Sequence, residues 1–387
     1  MPKTSRSIWA VSTVFFLTLL LRPPLAAIGP LLTTIQNSQH WSTTQLGLLT
    51  STPVLCFGIG AFLGPRLLSR YGLSKAFTGI LVVLTVTILG RVWFGFEFLL
   101  IGTIAMGLGI AVSNVLFPAL IRAEFPNSVA RMTATYTTML SGFSAVASGI
   151  AFPVSESLHS WQLALSLLAI PGVLGLIAWR ITVAKDHPVA KVEGDAAASV
   201  NMWRHPLTWA IAAFFGLQSS NFYVLLNWLP SLLVDNGMSE VNAGGTLALM
   251  SMVGIPVGML ITANLKRIKN LSALVVAISL VTSAGLALYE VGPSLAIPAS
   301  ILTGVGLSSS FPLSLALIGM KGSNQAITTS MSAISQGMGY LFAAAAVFVA
   351  GLSHDLTGSW LPTILGAIAC ALVQAFAGRF AVNHDVV

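Results

Sequence analysis

Arg22-Pro23-Pro24 is the segment of this sequence best equipped for chemistry: a fixed cation followed at once by two residues that cannot donate backbone hydrogen bonds. It lies inside the first long apolar stretch, Ile8 to Ile28. A charge in a membrane-length segment costs roughly 2.5 to 3.5 kcal/mol on insertion scales, so such a residue normally faces protein or a watery cavity. Pro23 and Pro24 leave the carbonyls of Leu19 and Leu20 without their helical donors, and Pro23 biases Arg22 away from helical geometry. A cation beside loosened backbone points to an anion site within the membrane. The alternative is snorkelling. At 1.5 Å per residue Arg22 lies roughly 21 Å from Ile8, about two-thirds of the way across a hydrocarbon core of about 30 Å, and its side chain is long enough to seek the surface.

The elements that must position this residue follow from composition. Of the 387 residues 55% are hydrophobic and 7% charged, with a mean hydropathy of +0.88, whereas soluble domains carry about 25% charge. The chain is expected to be all-α and polytopic, with twelve transmembrane helices near 8–34, 43–65, 75–94, 97–121, 131–153, 160–182, 206–234, 241–263, 271–290, 295–319, 325–351 and 359–381. The first span is long and leads into further spans, so it is expected to be retained as a helix and not cleaved as a signal peptide.

The net charge of +7 follows topology and does not mark a nucleic-acid surface. Sixteen of the eighteen Lys and Arg residues fall on one side: two before the first span, three after the second, two around the fourth connection, four in the central loop, three after the eighth span, then Lys321 and Arg379. Only Arg22 and Arg91 remain. The positive-inside rule places both termini and the central loop in the cytoplasm, and the chain in the inner (plasma) membrane. By these spans every Asp and Glu lies in a connection, a tail or at a helix end, and all six histidines lie in connections or the tail. No carboxylate or histidine is therefore available in the core as a proton carrier. Cys56 and Cys370 sit in apolar spans as packing residues, and neither a cofactor nor a metal site is expected.

An internal repeat organises the chain. Gly107-Leu-Gly109 and Ala119-Leu-Ile121 recur as Gly304-Val-Gly306 and Ala316-Leu-Ile318, both 197 residues on. Ser42-Thr-Thr-Gln45-Leu-Gly47 matches Ser239-Glu-Val-Asn242-Ala-Gly244 at the same offset, each serine an expected N-cap with an amide three residues later. Two six-helix halves follow, 1–182 and 206–387, joined by a cytoplasmic linker at 183–205. This is the arrangement of transporters that rock about a midplane site.

The connection after the second span, Gly64-Pro-Arg66-Leu-Leu-Ser-Arg70-Tyr-Gly72-Leu-Ser-Lys75, resembles the loop signature of the major facilitator superfamily. Gly64, Arg70, Gly72 and Lys75 fit that conformational loop, whereas Ser69 takes the usual acidic position. Within the superfamily the chain resembles the cyanate and nitroimidazole transporter family. The likeness runs through Leu21-Arg22-Pro23-Pro24, Gly29-Pro30, Asn114-Val-Leu-Phe-Pro118, Asn227-Trp228-Leu-Pro230 and Gly304-Val-Gly306-Leu-Ser-Ser-Ser-Phe311-Pro312. Arg91 also matches an arginine expected near the end of the third span, where snorkelling or a gating contact with a neighbouring helix is the simpler role.

The resemblance implies that the first, fourth, seventh and tenth spans line a central cavity. It nominates Arg22, Asn114, Gln218, Asn221, Tyr223 and Phe311 as substrate-binding residues, with Gln336 in the eleventh span as a further candidate. For each amide the competing role is an interhelical hydrogen bond, and for Tyr223 and Phe311 it is packing. A fixed cation without core acids suits a small monoanion, cyanate-like or a compact carboxylate, moved by alternating access. The alternative is export of neutral nitroaromatics or other drugs. An enzyme is excluded by the lack of a nucleophile or metal cluster. The expected partners are the small-molecule substrate and the lipid bilayer, with no nucleic acid, and the expected state is a monomer.

Overall fold

Runs of apolar residues too long to be strands fold as helix in the computed structural model, which describes residues 3–125, 128–182, 201–323 and 325–385. Each expected span is helical. The first is broken into α1 (Lys3–Leu21), α2 (Pro23–Ala26) and, after a 3₁₀ turn at Gly29–Leu31, α3 (Leu32–Gln39). Its two parts, Ser12–Ala26 and Gly29–Gln39, bend by 40°. Ten further helices among the described residues are long and apolar enough to cross a membrane, and this bent pair makes eleven.

The second and third spans are one helix to the eye, α4 (Thr43–Gly90), interrupted at Gly72, whose φ of 73° and ψ of 166° lie outside helical space. Only glycine enters that region cheaply. The connection expected at 66–74 is thus a single-residue break. Helix continues past Pro65 through Arg70 and Tyr71. Gly64 lies within α4, and Arg70 and Lys75 flank the break on exposed surface. Arg70 holds its guanidinium 5.5 Å over the Tyr71 ring.

The remaining helices are α5 (Phe96–Glu124), α6 (Val129–Ser157), α7 (Trp161–Ser166) leading through a 3₁₀ turn into α8 (Ile170–Thr182), α9 (Pro206–Asp235), α10 (Glu240–Asn264), α11 (Leu271–Val291), α12 (Ala296–Lys321), α13 (Gln325–Thr357) and α14 (Leu361–Asn383). Most of the expected linker, 183–200 with Lys185 and Lys191, lies outside the described residues. Lys321, expected to be an ordinary span end, instead donates to the carbonyls of Val382 (2.8 Å) and His384 at the end of α14. A cation there complements the negative end of the helix.

The capping pattern holds in detail. Ser42 Oγ accepts from the Gln45 N–H while the Gln45 side chain accepts from the Ser42 N–H, a reciprocal box, and Ser239 accepts from the Asn242 N–H. The repeat also packs twice in the same way. A Cβ on Gly107 would meet Pro53 of α4 at 2.9 Å, and one on Gly304 would meet Met250 of α10 at 2.5 Å, with Pro53 and Met250 themselves 197 residues apart. Gly109 and Gly306 repeat the device against Leu84 and Thr282. Gly60 approaches Ala111 so closely that a Cβ would lie 2.2 Å from the alanine methyl, a small-residue helix interface of the kind membrane helices use.

Helices from before and after the linker meet along α4 with α13 and α6 with α10. At the end bearing Thr43 this contact is tight and polar. The N–H groups of Thr43 (3.0 Å) and Thr44 (2.5 Å) donate to Asp355, Thr34 donates to Glu240 (3.0 Å), and Trp228 donates to the Val347 carbonyl (3.0 Å). Gly29 leaves no room against α9, since a Cβ would sit 2.4 Å from the Leu226 carbonyl oxygen.

Candidate functional site

The break after α1 is built around Arg22. Its carbonyl accepts from the N–H groups of Leu25 and Ala26, both at 3.0 Å, so Arg22 is the N-cap of α2. Pro23 and Pro24 occupy the first helical positions, where a missing N–H goes unnoticed. The expectation that Pro23 pushes Arg22 out of helical space is corrected. Arg22 remains in the right-handed region with φ −112° and ψ −43°, and the double proline starts a new helix in place of an extended joint.

The side chain of Arg22 is partly buried and crosses to α9, where Nη1 donates to the Tyr223 hydroxyl at 3.2 Å. Its guanidinium carbon stands 5.9 Å from the Phe222 ring centroid. That direction is toward protein, which sets aside snorkelling. The titratable groups that act on it are phenols, those of Tyr223, Tyr340 and Tyr136. Among the described residues every Asp and Glu in a helix lies at or near one of its ends, so the guanidinium has no carboxylate partner in the interior.

Around Arg22 the rings form a continuous wall. Tyr223 contacts Phe57 (centroids 6.1 Å) and Tyr340 (6.3 Å), Phe57 meets Tyr340 edge-on at 5.5 Å, and Phe215 links Tyr340 (5.1 Å) to Phe311 (5.9 Å). From α6, Tyr136 stacks on Phe117 at 4.0 Å and donates to Asn114 Oδ1 at 3.4 Å. A cation, phenolic hydroxyls and ring faces can hold a small planar group bearing negative charge or oxygen acceptors.

The structure brings together Arg22 and Tyr223, sets Asn114 beside Tyr136 and joins Phe311 to the ring wall. Gln336 instead donates to Ser332 on its own helix at 2.7 Å. Gln218 and Asn221, expected to face Arg22, are 2% and 1% exposed and make no bond to it among the described residues. They lie four and seven residues beyond Phe214, which packs on Gly378 of α14, so helical spacing turns them to that side. Gln218 accepts from Ser219 at 3.1 Å, and Asn221 Nδ2 has no partner among the described residues. Phe57, Tyr136, Phe215, Phe222 and Tyr340 were not foreseen. The available signal was scarcity: the chain has five tyrosines, and three act on Arg22.

Arg91 is not a snorkelling residue. At 2% exposure it donates to Thr103 Oγ1 (2.8 Å) and to the carbonyl of Pro24 (3.4 Å), the contact with a neighbouring helix that was the other expectation. It lines a small cavity with Pro24, Ile28, Thr50, Thr103, Tyr223 and Asn227 among its walls.

Comparison with known proteins places these features in context. The model of the Major Facilitator Superfamily matches residues 14–347. The chain is 32% identical over 380 residues to the uncharacterized transporter YycB of Bacillus subtilis (strain 168), covering 97% of this chain and 94% of that one. It is 30% identical over 368 residues to the 2-nitroimidazole transporter of Escherichia coli (strain K12), covering 95% and 94%. With the cyanate transport protein CynX of the same organism it shares 25% identity over 342 residues, 88% of each chain. Among solved structures, the nucleoside transporter NupG superposes with a TM-score of 0.80 at 12% identity, covering 96% of this chain and 99% of that one, which shows a common fold.

Proposed function

The chain belongs to the Major Facilitator Superfamily of membrane transporters, and we propose on that premise that it moves a small monoanion, cyanate-like or a compact carboxylate. The six-helix halves at 1–182 and 206–387 rock about a central site, with Gly64, Arg70, Gly72 and Lys75 forming a conformational loop at the Gly72 break. The observation that carries the reading is Arg22, a partly buried guanidinium whose nearest titratable partners are phenols and not carboxylates. A buried cation without a counter-charge is costly, and an anionic substrate supplies what the protein withholds. Tyr223 takes the part first given to Gln218 and Asn221, since its hydroxyl already touches Arg22 and its proton is free to point at a bound anion. Asn114 and Phe311 complete the binding surface through Tyr136 and Phe215. One cation compensates one charge, so dianions are poor substrates.

The ring wall supports a second reading, a neutral planar nitroaromatic stacked between Phe57, Phe215 and Tyr340. The two readings share chemistry, because an imidazole with a free N–H and a nitro group is a weak acid that yields a planar monoanion. N-methylation removes that option. Ligand-induced rises in melting temperature of the purified protein with cyanate, 2-nitroimidazole and 1-methyl-2-nitroimidazole therefore discriminate. The anion reading expects the first two to stabilise the wild type, with the effect much reduced in Arg22→Ala at the same ligand concentration. Equal stabilisation of both proteins by the methylated compound, with none by cyanate, supports the neutral-drug reading instead.

A further inference from the structure

Arg91 presents the same problem as Arg22 in a more acute form. It is 2% exposed, its hydrogen-bond partners are a hydroxyl and a carbonyl, and its Nε–H is buried without a partner among the described residues. Replacing water around a cation by two neutral acceptors leaves most of the desolvation cost unmet. The cavity beside it has a volume of about 10 Å³, room for about one water molecule. Polar groups are placed around that space: Thr50, Thr103 and Asn227 line it together with the guanidinium. So does Tyr223, whose hydroxyl accepts from Arg22. One tyrosine is thus shared by two guanidinium sites, one beside a cavity of about 10 Å³ and one partly buried.

We infer that Arg91 is a second anion-binding station in series with Arg22, separated from it by Tyr223 and collapsed to the size of one water in the state seen here. The inference rests on the reading of the substrate as a small monoanion. Pro24 supports the arrangement, because its carbonyl receives Arg91 while its own residue lies two positions after Arg22. Parting of the helices at the Thr43 end frees Arg91 from Pro24 and enlarges the cavity. An anion entering there meets Arg91 first and passes Tyr223 to reach Arg22.

The test is cyanate titration of the full-length detergent-purified protein by calorimetry in four forms: wild type, Arg22→Ala, Arg91→Gln and the double variant. Arg22→Ala is expected to bind cyanate at least about tenfold more weakly than wild type, yet measurably, and the double variant not at all. Thr50→Leu in the Arg22→Ala background fills the cavity while leaving Arg91 in place, and is expected to erase the residual binding if Arg91→Gln compromises folding. Arg91→Lys in that background retains it.

A second station is overturned if Arg22→Ala alone abolishes binding, or if its residual binding survives both Arg91→Gln and Thr50→Leu; the role of Arg22 then stands. If Arg22→Ala binds as wild type while Arg91→Gln does not, the anion site is at Arg91 and the reading of Arg22 fails. Absence of cyanate binding by the wild type counts against both.

Discussion

Arg22 reaches from the broken first span to the Tyr223 hydroxyl of α9, and the residue-scale expectations follow from that contact. Arg22→Ala is expected to lower anion transport at least about a hundredfold, since hydrogen bonds to a charged group are worth about 1.5 to 3 kcal/mol each and the compensating charge goes as well. Membrane yield of the protein should be unchanged, because the carbonyl that caps α2 belongs to the backbone. Arg22→Lys should recover little of the activity, as an ammonium keeps the charge but not the planar fork that recognises two acceptors at once. Tyr223→Phe removes one hydroxyl and keeps the ring wall, so anion affinity should fall about fivefold, corresponding to about 1 kcal/mol. Affinity for an uncharged nitroaromatic should barely move, and calorimetry on both ligands checks the contrast.

Among elements, the turn at Gly29–Leu31 approaches α9 closely. A Cβ on Gly29 would lie 2.4 Å from a backbone oxygen, and nothing flexible is there to yield. Gly29→Val is therefore expected to hold the Thr43 end apart. Oxidative cross-linking of a Thr34→Cys, Glu240→Cys pair, whose native side chains hydrogen-bond at 3.0 Å, should be efficient with Gly29 and fall severalfold with valine. Asp355 acts at the same end, binding the N–H groups of Thr43 and Thr44 at the start of α4. Asp355→Ala removes a cap worth about 1 kcal/mol and should shift the same cross-linking yield downward by a smaller factor.

Much at this scale could be read from the sequence. The Ser42 box, the Ser239 cap and the paired Gly-x-Gly contacts follow from local chemistry and spacing, and Pro23-Pro24 marked the break. The ring wall could not be read, because polar residues are spread around the helices that carry these tyrosines and no one polar face orients the rings. α9 is buried on nearly every side, so periodicity alone could not decide whether Gln218 and Asn221 or Tyr223 faced Arg22. Gly72 was legible as a motif residue, but its left-handed φ as the sole interruption of a 48-residue helix was not.

At the scale of the whole molecule, we propose from the even number of expected spans and the sixteen basic residues on one side that both termini are cytoplasmic. Impermeant thiol reagents should label cysteines introduced near Gly95, Ser157 and Asn236 in intact cells and leave one at Lys191 unlabelled; the reverse pattern would invert the topology. On that proposal, the end bearing Thr43, Asp355 and Gly29 is the outer one. Arg22 is proposed to supply the counter-charge that an anionic substrate needs within the membrane. Counterflow in proteoliposomes preloaded with unlabelled cyanate measures this most directly, with labelled cyanate and labelled 1-methyl-2-nitroimidazole followed in parallel. Wild-type protein should accumulate cyanate and not the methylated ring, Arg22→Ala should accumulate neither above empty liposomes, and Arg22→Lys should be slow. Cyanate counterflow by Arg22→Ala at the wild-type rate, or exchange of the neutral ring by both proteins, would contradict it.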